Sequence, residues 1–396
     1  MINYTEMKNC LACGSSNLET FCSLGNQPLA NNHKASKDEP DNLFPLDVNV
    51  CRDCFHSQLS IAVDRDVLYK HYLYVSGVSK TLVNEFDDVA ALICKENPEA
   101  KSVLDVACND CTLLRSFRKQ GMELYGIDPA ENIIESITDT DMTLWADYVP
   151  TTKESVQLPQ VDIITCFNVV AHVPDPLSML KECKKYLNPN GTLYIQTSQK
   201  DMIVNGEFDT IYHEHHSFFT INSMKHLAER AGFKLHDVVT RPVHGNSYLF
   251  ALKHESDGAL IPEKIAAEAA LNDITTFREF GAKAIKKKNR LVHVIQHARA
   301  KNHKVVGYGA AAKGIVMLNY HKMPHDYVID DTPLKINKII GGVNIPILSS
   351  DVLAAEPDDL TIIVYAWNFF DEIYNKIRAL RPNNNDVIVP SLVKEI

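Results

Sequence analysis

Three groups of residues have types and spacings that can do chemistry. Four cysteines stand in two pairs, Cys10-Leu11-Ala12-Cys13 and Cys51-Arg52-Asp53-Cys54. Each CxxC turn presents two thiolates, and two such turns complete a tetrahedral all-sulfur shell suited to zinc. A closed shell leaves no position for water, so its expected role is folding. Free thiols or a redox pair are the competing reading, although redox CxxC motifs come singly and at helix starts. The second group is Tyr212-His213-Glu214-His215-His216. A neutral histidine there can take a proton near pH 7, and a tyrosine hydroxyl or second histidine can bond a developing oxyanion. The run lacks the i, i+4 histidines of H-E-x-x-H, which argues against a metal, and a merely structural cluster is the bland alternative. The third group, Val305-Val306-Gly307-Tyr308-Gly309-Ala310-Ala311-Ala312-Lys313-Gly314, reads as a strand running through glycines into a helix. Gly309 lets backbone approach an anion, the helix N-terminus donates amides and Lys313 adds charge, as a diphosphate requires. Its glycine spacing is not that of a dinucleotide fingerprint, and pure packing is the alternative role.

The elements that must position these groups alternate between strand and helix. Residues 101–107, 124–127, 161–167 and 192–197 read as buried strands, with helices over 112–120 and 177–187, which is an open α/β sheet. A helix over 221–232 and strands over 235–240 and 248–253 close it, while 258–303 reads as one or two long helices. A second β-α-β pattern follows at 304–308, 312–320 and 326–329, with a further strand at 361–365 and a helix at 369–380. Residues 1–60 lack helical periodicity and need a staple to bury a core; 65–97 turns helical, with Leu68, Leu82, Phe86, Val89 and Leu92 at helical spacings.

In the middle sheet the first turn is Ala107-Cys108-Asn109-Asp110-Cys111, and the second strand ends Gly126-Ile127-Asp128-Pro129-Ala130. Asp128 stands where a carboxylate accepts bonds from ribose hydroxyls. The first turn has no glycine, so the pyrophosphate cradle is missing. S-adenosylmethionine carries no phosphate and a positive sulfonium, and a turn bearing Asp105 and Asp110 suits it better. Asp147, after the third strand, can meet the adenine amino group. An ordinary loop pair is the alternative.

The chain has 396 residues with 45% apolar and 23% charged residues, which places it among soluble globular proteins of two or three domains. A net charge of -10 argues against general attraction to nucleic acid and leaves room for a local basic pocket. No apolar run approaches a membrane span and residues 1–10 carry no leader pattern, so the expectation is a cytoplasmic protein that binds no membrane.

These motifs together resemble the nucleotide-sugar C-methyltransferase family, enzymes that methylate carbon 3 of a deoxy-4-keto sugar. The similarity rests on the twin CxxC start, Asn109-Asp110, Gly126 to Ala130, Tyr212-His213-Glu214-His215, Gly307 to Ala310 with Lys313-Gly314, Tyr327-Val328-Ile329-Asp330-Asp331 and Ala366-Trp367-Asn368-Phe369, in that order. The resemblance implies a zinc-binding module (1–62), a helical lid (63–97), a Rossmann-like S-adenosylmethionine methyltransferase domain (98–256), a helical connector (257–303) and a second Rossmann-like α/β domain for the nucleotide (304–396). It implies a nucleotide-diphosphate-linked keto sugar as partner, and a monomer or weak homo-oligomer is expected. His215 is then the base with Tyr212 as its partner, Glu214 orients the imidazole or bonds a sugar hydroxyl, and His172 lies near the sugar. Tyr72, with Tyr74 beside it, matches an aromatic hydroxyl over the sugar. Cofactor contacts fall to Asp105, Ala107, Asn109, Asp110 and Leu113 of the first turn, and to Asp128, Pro129, Asp147 and Asn168. Nucleotide contacts fall to Gly307, Gly309, Ala310, Lys313, Asp330 and Trp367. The family carries glycine where this chain has Cys111 and Ala107, so crowding of the methionine tail is an expectation to examine. The rivals are O-methylation of a sugar on the same scaffold and a non-catalytic binding protein.

Overall fold

The computed structural model describes residues 4–69, 77, 80–198, 201–243, 246–256 and 258–392. Tyr72 and Tyr74, singled out above, lie outside them, as do residues 244 and 245. The N-terminal part is built of short antiparallel strands: β1 (Tyr4–Glu6), β2 (Leu18–Gln27), β3 (Phe44–Cys51), β4 (Ser57–Leu59) and β5 (Ile61–Val63). In β3 the residues Phe44, Leu46, Val48 and Val50 alternate inward, as a half-buried strand should. Its partner β2 loses this alternation because two bulges interrupt the pairing, after Thr20 and after Ser23.

The middle sheet contains β6 (Ser102–Val106), β7 (Glu123–Ile127), β8 (Met142–Trp145), β9 (Val161–Phe167), β10 (Leu187–Thr197), β12 (Lys234–Arg241) and β13 (Ser247–Lys253), while β11 (Ser217–Phe218) leaves it to pair with β4. Its order is β12-β13-β10-β9-β6-β7-β8, with β13 antiparallel to both its neighbours. The order reverses between β6 and β9, which opens a ligand crevice over the carboxyl ends of those strands. Every residue of β6 is buried, because helices cover both faces of the sheet. On one face Leu82, Phe86, Val89 and Ile93 of the helix Lys80–Glu96 pack against Phe117. On the other, Met179 and Leu180 meet Met224 and Leu227. The helix Ile221–Ala231 starts on a Thr220–Ser223 capping box and stops at Gly232, whose φ of 84° a side chain would resist.

The helix Ile274–Ala300 is followed by β14 (Lys304–Tyr308), β15 (Tyr327–Ile329), β16 (Ile339–Ile340), β17 (Ile345–Leu348), β18 (Leu360–Val364) and β19 (Val387–Pro390), in the order β16-β17-β15-β14-β18-β19. All pair in parallel except β16 with β17. This sheet does not stand alone. One apolar core joins its residues Val305, Val328 and Ile363, and Ile315 and Val316 of the helix Ala312–His321, to Phe277 and Phe280 of the long helix and to Phe21 and Leu24 of β2. Phe21 meets the two helix phenylalanines edge-on at 5.3 and 5.7 Å. Gly281 permits the approach, since a Cβ there would lie 2.0 Å from the Phe21 carbonyl oxygen. The N-terminal strands therefore gain core from the long helix as well as from any metal staple. Among the described residues no helix is long and apolar enough to cross a membrane.

Candidate active site and metal centre

Cys10, Cys13, Cys51 and Cys54 converge so that their four sulfurs lie within 4.8 Å of one another. The Cys10–Cys54 and Cys13–Cys51 sulfur pairs are 3.5 Å apart, near the separation of about 3.8 Å that a tetrahedral Zn–S length of about 2.3 Å imposes. Each knuckle ends on a left-handed residue, Gly14 and Phe55, and the backbone amides of Cys13 and Asp53 point at the sulfurs of Cys10 and Cys51. Contact with the Cys51 sulfur and burial push the Cys10 thiol up to about 12. A quartet of thiolates holds here only around a cation, and the donor set fits zinc.

The first turn of the middle sheet keeps a glycine-like backbone without glycine. Ala107, Asn109 and Cys111 have φ of 63°, 49° and 60°. A left-handed non-glycine residue costs roughly 1 kcal/mol or more each, so the surrounding packing must hold this shape. The expected crowding does not arise from Cys111. Its side chain is fully buried, with Sγ 4.0 Å from Cys108 Sγ, inside the apolar cluster that also holds Leu113, Leu114 and Phe117. Leu113 thus lies in the core behind the turn. The Asp128 carboxylate accepts from the amides of Asn109 and Ala130 at 2.9 and 2.8 Å, tying the turn to the end of β7, where Pro129 is half-buried. Asp110 accepts from the Thr112 hydroxyl at 2.7 Å and from the Gly77 amide at 2.9 Å. Asp147 is committed to its own loop, accepting from the amides of Tyr148, Thr152 and Lys153 and from the Thr152 hydroxyl. Its lone pairs are filled, so in this conformation it offers an adenine nothing.

Asp105 is buried in the sheet, bonded to the Thr165 hydroxyl at 2.6 Å. Burial pushes its carboxyl up to about 7, against the Thr165 bond and with the aid of the Asp128 charge. The folded protein then holds this proton more tightly than the unfolded chain does. The contribution of this one group is therefore most favourable at low pH and falls as pH rises toward 7, by up to about 4 kcal/mol. Asp105→Asn is expected to flatten that slope and to melt higher than the parent at pH 8, which thermal unfolding at pH 5.5 and pH 8 checks. Equal slopes in the two proteins would remove Asp105 as the cause.

Asn168, left-handed at the carboxyl end of β9, donates its amide NH2 to Gln196 Oε1 at 3.2 Å. This leaves Asn168 Oδ1 and Gln196 Nε2 buried without partners at the adjacent ends of β9 and β10. Such orphans at the crevice fit a ligand with polar groups of both kinds, as an amino-acid cofactor tail has. Sequence reasoning passed over Gln196, although a glutamine within the apolar run of β10 was the signal.

The histidine-rich segment follows the short turn Phe208–Thr210. The His215 Nδ1–H donates to the Thr210 carbonyl at 3.0 Å, so the lone pair sits on Nε2, where it accepts from the Tyr212 hydroxyl at 3.0 Å. His172, one turn past β9, presents its ring edge-on to His215 with centroids 4.7 Å apart. Those three side chains form one cluster at the carboxyl edge of the sheet. His213 instead donates to the Pro45 carbonyl and packs on Phe44, and the His216 carbonyl accepts from the Leu59 amide, which fastens the segment to the N-terminal strands. Burial holds His172, His213 and His216 down to about 4, so they are uncharged at neutral pH. Burial raises the Glu214 carboxyl above its ordinary range.

In the C-terminal sheet the glycines have packing reasons. A Cβ on Gly307 would press on Val328 and Tyr365, and one on Gly314 would lie 2.2 Å from the Gly309 carbonyl oxygen. Gly309, at φ 103°, turns the chain into the helix Ala312–His321, which has no side-chain cap at its N-terminus. Lys313 lies over the Trp367 ring at 4.8 Å, and the Trp367 indole donates to Asp209 Oδ2 at 2.7 Å. Asp209, fully buried and also missed from sequence, thus joins the two sheets. Asp330 accepts from the Ala310 amide at 2.9 Å and from Lys335 at 3.0 Å, repeating the turn-holding role of Asp128 in the middle sheet.

Three family models match this chain in succession: "Putative zinc binding domain" over residues 10–69, "Methyltransferase domain" over 79–238 and "C-methyltransferase C-terminal domain" over 242–391. The C-methyltransferase NovU of Streptomyces niveus is 30% identical over 96% of this chain and 94% of its own. A ubiquinone biosynthesis O-methyltransferase of Acinetobacter baylyi is 29% identical, over 35% of this chain and 65% of its own. Among solved structures, the PH0226 protein of Pyrococcus horikoshii aligns with 48% of this chain and 99% of its own at 15% identity and a TM-score of 0.38. With sulfur quartet, crevice and full-length likeness in place, the chain belongs to the C-methyltransferase family and is an S-adenosylmethionine-dependent methyltransferase carrying a zinc-binding module.

Proposed function

We propose that the chain methylates carbon 3 of a nucleotide-diphosphate-linked deoxy-4-keto sugar. The observation that carries this reading is the His215–Tyr212 pair, with the imidazole lone pair fixed on Nε2 at the crevice edge. A carbon beside a ketone becomes nucleophilic only when its proton is taken and the enolate oxygen is bonded. Nε2 takes that proton, directly or through the Tyr212 hydroxyl, and the C–H electron pair moves into the enolate. His172, neutral and beside His215, can bond the oxyanion. S-adenosylmethionine, when bound, supplies the methyl group. Asp110 and Asp128 place carboxylates around the first turn, where a sulfonium ligand is favoured, while Asp105, buried and pushed up to about 7, carries only part of a charge at neutral pH. The diphosphate meets the uncapped start of Ala312–His321 and Lys313, and Trp367 and Asp209 hold that lysine near the cleft. Mass spectrometry after incubation with S-adenosylmethionine and a panel of nucleotide-linked 4-keto sugars tests the reading. The expected product gains one methyl group on carbon and none on oxygen; no gain with any of the sugars, or a methyl ether, contradicts it.

A further inference from the structure

Between β2 and β3 the chain leaves the N-terminal sheet and crosses to the C-terminal domain. Leu29 and Ala30 are buried at its start. Four residues on, Lys34 exchanges backbone hydrogen bonds with Ile339 at 2.9 Å in both directions. Its buried ammonium is held by Asn344 Oδ1 at 2.6 Å, the Glu39 carbonyl at 2.9 Å and Asp41 Oδ1 at 3.1 Å. Asp41 in turn accepts from the Gly342 amide at 2.8 Å. A buried, paired lysine of this kind fixes register more than it adds stability. What it fixes is Asn31. From this strap the Asn31 amide NH2 donates to Glu214 Oε1 at 2.6 Å, across 183 positions of sequence.

We propose that Asn31 is a positioning residue of the reaction site: the zinc-bearing module hands it to Glu214, and through that bond sets the direction in which the carboxylate meets the sugar. This rests on the reading of Glu214 as a sugar-facing group. The bond uses one lone pair of Oε1 and leaves the carboxylate able to accept from a hydroxyl. Asn31 is solvent-exposed while Glu214 is buried, so the bond runs from the protein surface to the buried histidine-rich segment. The module that carries the four cysteines thus reaches the histidine-rich segment through Asn31.

A double-mutant cycle tests this, using Asn31→Ala, Glu214→Ala and the pair, with a 4-keto sugar nucleotide that the parent enzyme methylates. Asn31→Ala is expected to lower kcat about tenfold, the effect of one lost charge-assisted hydrogen bond. KM, thermal midpoint and S-adenosylmethionine affinity should stay close to the parent values. In the Glu214→Ala background the same change should do nothing further. An unchanged kcat in Asn31→Ala, or an equal loss in both backgrounds, overturns the proposal and leaves the substrate reading standing. A parent enzyme that methylates none of the keto sugars overturns the substrate reading, and the role of Asn31 with it.

Discussion

His215→Ala is expected to lower turnover about a thousandfold while S-adenosylmethionine binds nearly as before. With Nδ1–H engaged by the Thr210 carbonyl, Nε2 is the basic atom of this side chain. Alanine removes that atom and, with it, the 3.0 Å bond to the Tyr212 hydroxyl. General bases contribute about 10²–10⁴ in rate, and a thousandfold corresponds to about 4 kcal/mol of barrier. The carboxylates proposed for the cofactor belong to the first turn and the end of β7, on other segments of the chain, so calorimetry should return an affinity within about twofold of the parent. Tyr212→Phe keeps the imidazole and should lose less. Full activity in His215→Ala would move the base elsewhere, with His172, whose ring centre lies 4.7 Å from that of His215, the next candidate. His172, His213 and His216 add no charge at neutral pH, because loss of hydration holds them down to about 4.

The second large effect comes from the metal. Cys51→Ser leaves three sulfurs and is expected to take zinc from one per chain to near none. The cluster stands at the base of β3, which pairs with both β2 and β4, and β4 in turn pairs with β11 beside His215 and His216. A structural zinc contributes folding free energy outright, so losing it should lower the melting temperature by about 10 °C and remove activity. Metal analysis with thermal unfolding measures both. Stoichiometric zinc and an unchanged midpoint in Cys51→Ser would end the structural assignment.

Long, strongly patterned elements were legible in the sequence. β9 and β14 fall on the ranges that buried-run reasoning predicts; the helix Pro176–Tyr186 departs from its range by one residue at each end, and Ile221–Ala231 and Phe370–Leu380 by one residue at one end. The N-terminal sheet was not foreseen. Its β3 carries a readable alternation at Phe44, Leu46, Val48 and Val50, but the bulges in β2 erase the partner pattern. Two-residue strands such as β11 and β16 have too little sequence to show a period. At the site, Tyr212 and His215 are three residues apart, so their pairing was visible; Asn31, Thr210 and Gln196 enter through distant or backbone contacts that no local pattern encodes. The absent glycines misled in one respect. They forecast crowding in the first turn, whereas Ala107, Asn109 and Cys111 adopt the left-handed backbone and Cys111 turns into the core.

The claim that the site makes a carbon nucleophile is tested most directly by solvent deuterium exchange, followed by mass spectrometry or NMR, on the 4-keto sugar nucleotide in heavy water with enzyme and no S-adenosylmethionine. The account predicts deuterium at the carbon beside the ketone with the parent enzyme and almost none with His215→Ala. A parent enzyme that methylates the sugar yet washes in no deuterium, or a His215→Ala variant that exchanges at the parent rate, would contradict it.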